Sequence, residues 1–254
     1  MTGGPQRDDG SGADDAGDDA GEGARRISHA AAPLNKLPVL VWLLILAIAG
    51  IEAMLWLGAQ GLIGGPQALG WRLEAITRWG YSGAVQVVML ENRHFPVSYL
   101  VRYAGFSFIH GGPLHAFFVI VLLAALGKYV TEAFGTLRTL AVLVPATLGG
   151  AVIFGLVLGE HELAWLFGGM AMVFALVGAA TWWRWHDAED SAGRWRAFGL
   201  VGALLGARLA IGLMVEAGHG WIAELAAFCL GFTLAALFAP GGWAFLRARL
   251  RQRG

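Results

Sequence analysis

"WLFGGMAMVFALVGA", residues 165–179, decides how this chain is read. Apart from its glycines every residue in the stretch is apolar, as a membrane-embedded helix requires. It opens on a glycine pair, Gly168 and Gly169, and then sets Met170 where a reactive side chain could stand. The stretch holds no hydroxyl, thiol or carboxylate. What it can do therefore depends on what the rest of the chain brings to it.

Composition places the rest of the chain in the same environment. Hydrophobic residues make up 57% of the 254 and charged residues only 14%, with a mean hydropathy of +0.60. Few water-soluble domains could hide that much apolar surface. Glycine (38) and tryptophan (11) are abundant, as expected where helices pack closely and indole rings sit at lipid headgroups. The chain reads as an all-α, polytopic membrane protein whose obligatory partner is the lipid bilayer. Its formal net charge is zero, so nothing points to a nucleic-acid partner. The single cysteine, Cys229, lies in an apolar run and cannot form an intrachain disulfide.

Apolar runs long enough for a ~30 Å hydrocarbon core fall near 38–57, 114–131, 137–158, 166–184, 196–217 and 221–238. These six spans define a membrane domain over 33–240. Residues 1–32 are rich in Asp, Gly and Ala, lack a basic start followed by an apolar core, and read as a disordered acidic tail rather than a signal peptide. Residues 241–254 read as a basic tail beside the membrane, suited to anionic lipid. Between the first two spans lies a long loop, whose "GWRLEAITRW" (70–79) and "VQVVMLENR" (85–93) predict short interfacial helices.

Lysine and arginine set the orientation. Arg7, Arg25, Arg26 and Lys36 precede the first span, Lys128 and Arg138 follow the second, and Arg184, Arg194 and Arg196 follow the fourth. Arg247, Arg249, Arg251 and Arg253 follow the sixth. The opposite side has Arg72, Arg78, Arg93 and Arg102. Both termini are therefore expected in the cytoplasm, in a bacterial plasma membrane. Spans two, four and six then start at one depth, carrying His110 and His115, Gly168 to Met170, and Glu224. Polar groups at one depth on three helices predict a shared cavity, because an isolated carboxylate facing lipid costs several kcal/mol.

Four of these stretches, in this order, resemble the rhomboid family of intramembrane serine proteases. "RYAGFSFIHGGPLHAFFV" (102–119) is similar to a first-loop arginine leading into the family's HxxxxHxxxN. "LGKYVTEAFG" (126–135) is similar to the turn that follows, "WLFGGMAMVFALVG" (165–178) to the stretch around GxSG, and "IAELAAFCLGF" (222–232) to AHxxGxxxG. The resemblance implies a six-helix bundle with a long first loop. In that family a serine opening the fourth helix attacks the peptide carbonyl, a histidine on the sixth accepts its proton, and a histidine and an asparagine on the second bind the oxyanion.

Carried over by position, the resemblance implies lost chemistry. Met170 takes the serine position when counted back from Gly178, and Ala171 takes it when the glycine pair is aligned. Neither can attack a carbonyl. Glu224 takes the base position, after Ala223 and before Gly231, with Ala227 in place of a glycine. His115 matches the oxyanion histidine and His110 the histidine five residues earlier, but Val119 replaces the asparagine. His110, His115, Val119, Gly168, Gly169, Met170 and Glu224 thus outline a vestigial pocket. The expectation is a pseudoprotease without cofactor or metal that binds transmembrane helices of client proteins.

Several of these residues admit other roles. Met170 is foremost a core filler. Glu224 is a buried carboxyl paired with His115, His110 or Arg208, or a polar recognition point for another protein's helix. A metal site of His110, His115 and Glu224 is disfavoured because, on a continuous helix, a spacing of five residues points the two rings apart. Arg208, deep in span five, needs a carboxylate such as Glu224 or Glu216. "GLVLG" (155–159) and "GALLG" (202–206) are GxxxG matches, read as packing inside the bundle rather than an oligomer interface. An active protease would have to use a displaced hydroxyl, with Ser107 and Thr147 the nearest. A small transporter or channel would be expected to show inverted repeats, and none is evident.

Overall fold

The computed structural model describes residues 37–159, 165–214 and 218–240, with side chains throughout except at 208–214. The tails expected at 1–32 and 241–254, the segment Glu160 to Glu162, Glu216 and the side chain of Arg208 lie outside the described residues.

The first helix, α1 (Val39–Ala59), follows Pro38 and carries one charge, Glu52. The long loop is ordered into small elements rather than left as coil. A 3-10 turn at Pro66–Gly70 leads into α2 (Trp71–Trp79), then β1 (Tyr81–Ser82), α3 (Gly83–Glu91), α4 (Val97–Leu100), α5 (Arg102–Gly105) and a second 3-10 turn at Phe106–Phe108. Helix α6 (Pro113–Phe134) starts on a proline, whose missing N–H costs nothing at that position. Gly135, at φ 81°, turns the chain into α7 (Thr136–Leu158). A short strand β2 (Trp165–Leu166) precedes α8 (Met170–Asp187), which is followed by α9 (Ser191–Ala197), α10 (Gly199–Met214) and α11 (Trp221–Phe238).

Helices α1, α6, α7 and α11 are long and apolar enough to cross a bilayer, with mean hydropathies of 2.4, 1.9, 2.3 and 1.9. Helices α8 and α10 stand where spans four and five are expected, but fall short of that criterion. The last turn of α8 carries Arg184, His186 and Asp187, and α10 has 16 residues. The composition of α8 has a structural reason: every residue from Ala171 to Trp182 is buried. This helix forms the centre of the bundle and answers to protein neighbours rather than lipid.

Small residues bring the other helices onto it. A Cβ on Gly178 would enter the Phe228 carbonyl of α11, and one on Gly231 would enter the Ala175 carbonyl of α8, so the two backbones cross in direct contact. Gly150 does the same for α7, where a Cβ would lie 2.7 Å from the Ala223 carbonyl oxygen. The first loop docks on α7 by the same device. Tyr81 and Tyr103 both donate to Gln86 Oε1, Gln86 Nε2 donates to the Val152 carbonyl at 3.4 Å, and Gly155 leaves the space this network fills. The GxxxG match at 155–159 is therefore a seat for the first loop. Gly202 and Gly206 face open space.

Both predicted loop helices form, as α2 and α3, with different surroundings. No residue of α2 is fully buried, as an interfacial helix requires. Helix α3 buries Gly83, Gln86 and Met89, packing against α7. Finally, β1 and β2 pair antiparallel, Tyr81 opposite Leu166 and Ser82 opposite Trp165, which fastens the first loop to the approach to α8.

Candidate functional site

The turn into α8 is held by the segment before α6. Gly168 sits at φ 101°, a conformation that favours glycine, and its N–H donates to the Phe106 carbonyl at 2.8 Å. A Cβ at this position would lie 2.5 Å from His115 Cε1 and 2.9 Å from its Nε2. The Gly169 N–H donates to His110 Nε2 at 3.2 Å, and a Cβ there would lie 2.6 Å from Val119 Cγ1. Both amides of the glycine pair are thus engaged within the protein. The pair allows α6 and α8 to approach ring against backbone.

The two histidines are not arranged as their spacing on a continuous helix predicts. Helix α6 begins only at Pro113, so His110 belongs to the preceding turn. The rings meet edge-on, with centroids 5.1 Å apart. His110 is fully buried. Burial above all, then the charges of His115 and Arg72, hold its pKa down to about 4, with the Phe108 backbone acting in the opposite direction. At neutral pH it is an uncharged imidazole whose Nε2 accepts a hydrogen bond, which places the ring proton on Nδ1.

In front of this turn lies a cavity of about 210 Å³. His115, Phe167, Gly168, Met170, Ala171 and Glu224 are among the residues that line it. Glu224 is buried in the first turn of α11, where the helix dipole favours a carboxylate. Met170, half-buried, opens α8 beside the buried Ala171. The two candidate nucleophile positions therefore face the same space, and either alignment leads to the same chemistry. Gly169, Val119 and His110 lie behind the cavity wall. Among the described residues, none that lines the cavity bears a hydroxyl or a thiol.

The displaced hydroxyls lie elsewhere. Ser107 is buried against the glycine turn, its carbonyl 3.2 Å from where a Gly169 Cβ would stand, and it does not line the cavity. Thr147 Oγ1 donates to the Leu143 carbonyl at 2.7 Å, inside its own helix. Among the described residues no three His, Cys, Asp or Glu side chains gather closely enough to hold a metal ion.

A further link was not foreseen from sequence. Arg72 of α2 reaches back to Glu52 of α1 and also donates to the His110 carbonyl at 2.6 Å. This places an ion pair directly behind the histidine turn. The signal was present, since Glu52 is a lone carboxylate inside an apolar span and such a group needs a partner.

A family model described as the Rhomboid domain matches residues 98–241, from within α4 through α11. No curated protein matches the chain.

Proposed function

The chain belongs to the rhomboid family of integral membrane proteins, and from that premise we propose that it is a pseudoprotease, which binds transmembrane segments of client proteins instead of cutting them. The reading has six spans, with α8 and α10 as the fourth and fifth, and both termini in the cytoplasm of a bacterial plasma membrane. One observation carries it: the cavity at the head of α8 brings Met170, Ala171 and Glu224 together, and among the described residues none that lines it bears a hydroxyl or thiol. A thioether has no proton to give up and a methyl group no lone pair, so a carboxylate beside them has nothing to activate. Losing the nucleophile alone typically costs several orders of magnitude in rate.

The same features suit binding. A buried carboxylate and a histidine facing a small cavity offer hydrogen-bonding groups to a helix that carries a polar residue. Aromatic and apolar walls complete a site for the rest of such a segment.

The test compares wild type with a Met170→Ser, Glu224→His double variant. Wild type is expected neither to label with a serine-reactive fluorophosphonate nor to cleave a helix-destabilised membrane peptide, but to retain that peptide on co-purification. Labelling of wild type that disappears in Ser107→Ala would replace the pseudoprotease reading with a displaced-serine protease. Weak cleavage by the double variant alone would support a preserved scaffold.

A further inference from the structure

The first loop carries two cavities unrelated to the site at α8, and α5 lines both. One, of about 460 Å³, is lined by Gly70, Leu73, Glu74, Thr77, Arg78 and Arg102. The other, of about 620 Å³, lies between the loop and α7, with Leu90, Phe95 and Leu100 on one side and Leu148, Val152 and Leu156 on the other. Arg102 of α5 lines the first cavity, while its neighbours Tyr103 and Ala104 line the second.

These cavities ask for different chemistries. The polar side chains that line the groove on α7 are Gln86 and Tyr103, and both are already engaged in the network with Tyr81 and the Val152 carbonyl. Nothing remains there to recognise a polar side chain, so its occupant is apolar. Leu148, Val152 and Leu156 recur every fourth residue and form one stripe, ~12 Å long, running from the loop into the span. Leu90, Phe95 and Leu100 are all more than two-fifths exposed beside it.

The smaller cavity is lined by two cations, Arg78 and Arg102, against one carboxylate, Glu74, and so keeps a net positive charge. Arg102 Nη1 makes one long contact of 3.4 Å to the Gly80 carbonyl, and its Nε is buried without a hydrogen-bond partner. The guanidinium stands 5.8 Å over the Tyr99 ring, and that of Arg78 stands 5.7 Å over Trp79. Among the described residues neither arginine pairs with a carboxylate. Arg78 stands in the last turn of α2 and Arg102 reaches the Gly80 carbonyl just past it, beside a helix whose exposure suits a membrane interface, where lipid supplies phosphate.

We propose that the first loop and α7 together hold one glycerophospholipid of the adjacent leaflet, its phosphodiester on Arg78 and Arg102 and an acyl chain along Leu148, Val152 and Leu156. The lipid neutralises the two guanidinium groups and fills the gap under the loop that docks on α7. This assignment is independent of whether the chain cleaves or binds clients.

Native mass spectrometry of the full-length chain, released from detergent with added phosphatidylglycerol or phosphatidylethanolamine, tests it. One retained phospholipid per chain is expected, with diacylglycerol of the same acyl chains retained about tenfold less. Inorganic phosphate at equal concentration should not displace the lipid. An R78Q/R102Q variant should lower retention about tenfold or more, and R78K/R102K should restore most of it. Val152→Trp, which blocks the groove and leaves both arginines, should also lower retention. Wild-type retention by R78Q/R102Q or by Val152→Trp overturns the proposal, and so does equal retention of diacylglycerol. Displacement by inorganic phosphate would assign the arginines to the free anion and overturn the lipid assignment. Should R78Q/R102Q fail to fold, Val152→Trp and the diacylglycerol comparison decide alone.

Discussion

Arg72 grips both carboxylate oxygens of Glu52, donating from Nη2 to Oε1 at 2.6 Å and from Nη1 to Oε2 at 3.0 Å. The pair joins α1 to the first loop, and through the bond from Arg72 to the His110 carbonyl it reaches the turn that holds Gly169. Both side chains are largely shielded, Glu52 at 9% exposure and Arg72 at 20%. Removing one partner strands the other, which typically costs about 3–5 kcal/mol, whereas replacing both by apolar residues is often near neutral. Arg72→Met is therefore expected to lose about 3 kcal/mol or more, and Glu52→Leu with Arg72→Met to recover most of it. Reversible unfolding in mixed micelles reads the difference, and a double variant no better than the single one would show that the pair does not act as a unit.

The crossing of α8 and α11 predicts a contrast between glycines of similar sequence setting. Gly178→Ala or Gly231→Ala drives a methyl group into a backbone carbonyl of the opposite helix, which no rotamer change relieves. Each should cost about 2–4 kcal/mol and displace the wall that carries Glu224. Gly202→Ala and Gly206→Ala, which meet nothing within 4 Å, should be neutral or slightly stabilising through helix propensity. Equal effects at all four positions in a thermal-shift series would contradict the close crossing.

What could be read in advance follows from what each signal depends on. Apolar runs report burial in lipid, so α1, α6, α7 and α11 were legible from their residues alone. Hydropathy was less decisive for α8, because a helix wrapped by protein can end on Arg184 and Asp187. The residues around the cavity were legible because Met170 and Glu224 stand in recognisable positions of an ordered set of motifs. The arrangement of His110 and His115 differs from the one their spacing predicts, because that spacing fixes ring directions only on a continuous helix and α6 begins after Gly111 and Gly112. The Glu52–Arg72 pair joins residues twenty positions apart. No local pattern encodes a contact of that range, although the lone charge in α1 announced that one had to exist.

His110 should give the protein an acid-sensitive stability. Its pKa is near 4 in the folded chain against an ordinary value of 6.5, so between those values the unfolded chain takes up a proton that the folded site refuses. Stability then rises with pH across this window, is fully present above about 6.5, and is lost as pH falls toward about 4. The loss attributable to this group is at most ~3 kcal/mol. His110→Gln keeps an acceptor for the Gly169 N–H and removes the titration. Carboxylates also titrate in the lower part of the window, so the informative quantity is the stability difference between wild type and variant at pH 7 and at pH 4.5. That difference should shift by about 2–3 kcal/mol in favour of the variant at the lower pH. Parallel pH profiles would mean that His110 is charged in the folded protein or exchanges freely with solvent.

The seat of the first loop on α7 offers a test by compensation. Gly155 faces the Tyr81 hydroxyl and Gln86 Oε1 so closely that a Cβ would overlap the first and lie 2.7 Å from the second. Gly155→Ala should therefore push the loop off its helix, at a cost of about 2–3 kcal/mol. Tyr81→Phe alone loses one buried hydrogen bond, about 1 kcal/mol, because Tyr103 still donates to Gln86. In the double variant the methyl group occupies the space the hydroxyl has left, so the two losses should fall short of additive by about 1 kcal/mol or more. The remaining strain comes from Gln86, whose amide also holds the Val152 carbonyl and cannot withdraw freely. Strict additivity in the cycle would mean that the loop already stands away from α7 in the membrane, leaving the groove under Leu156 open on both sides.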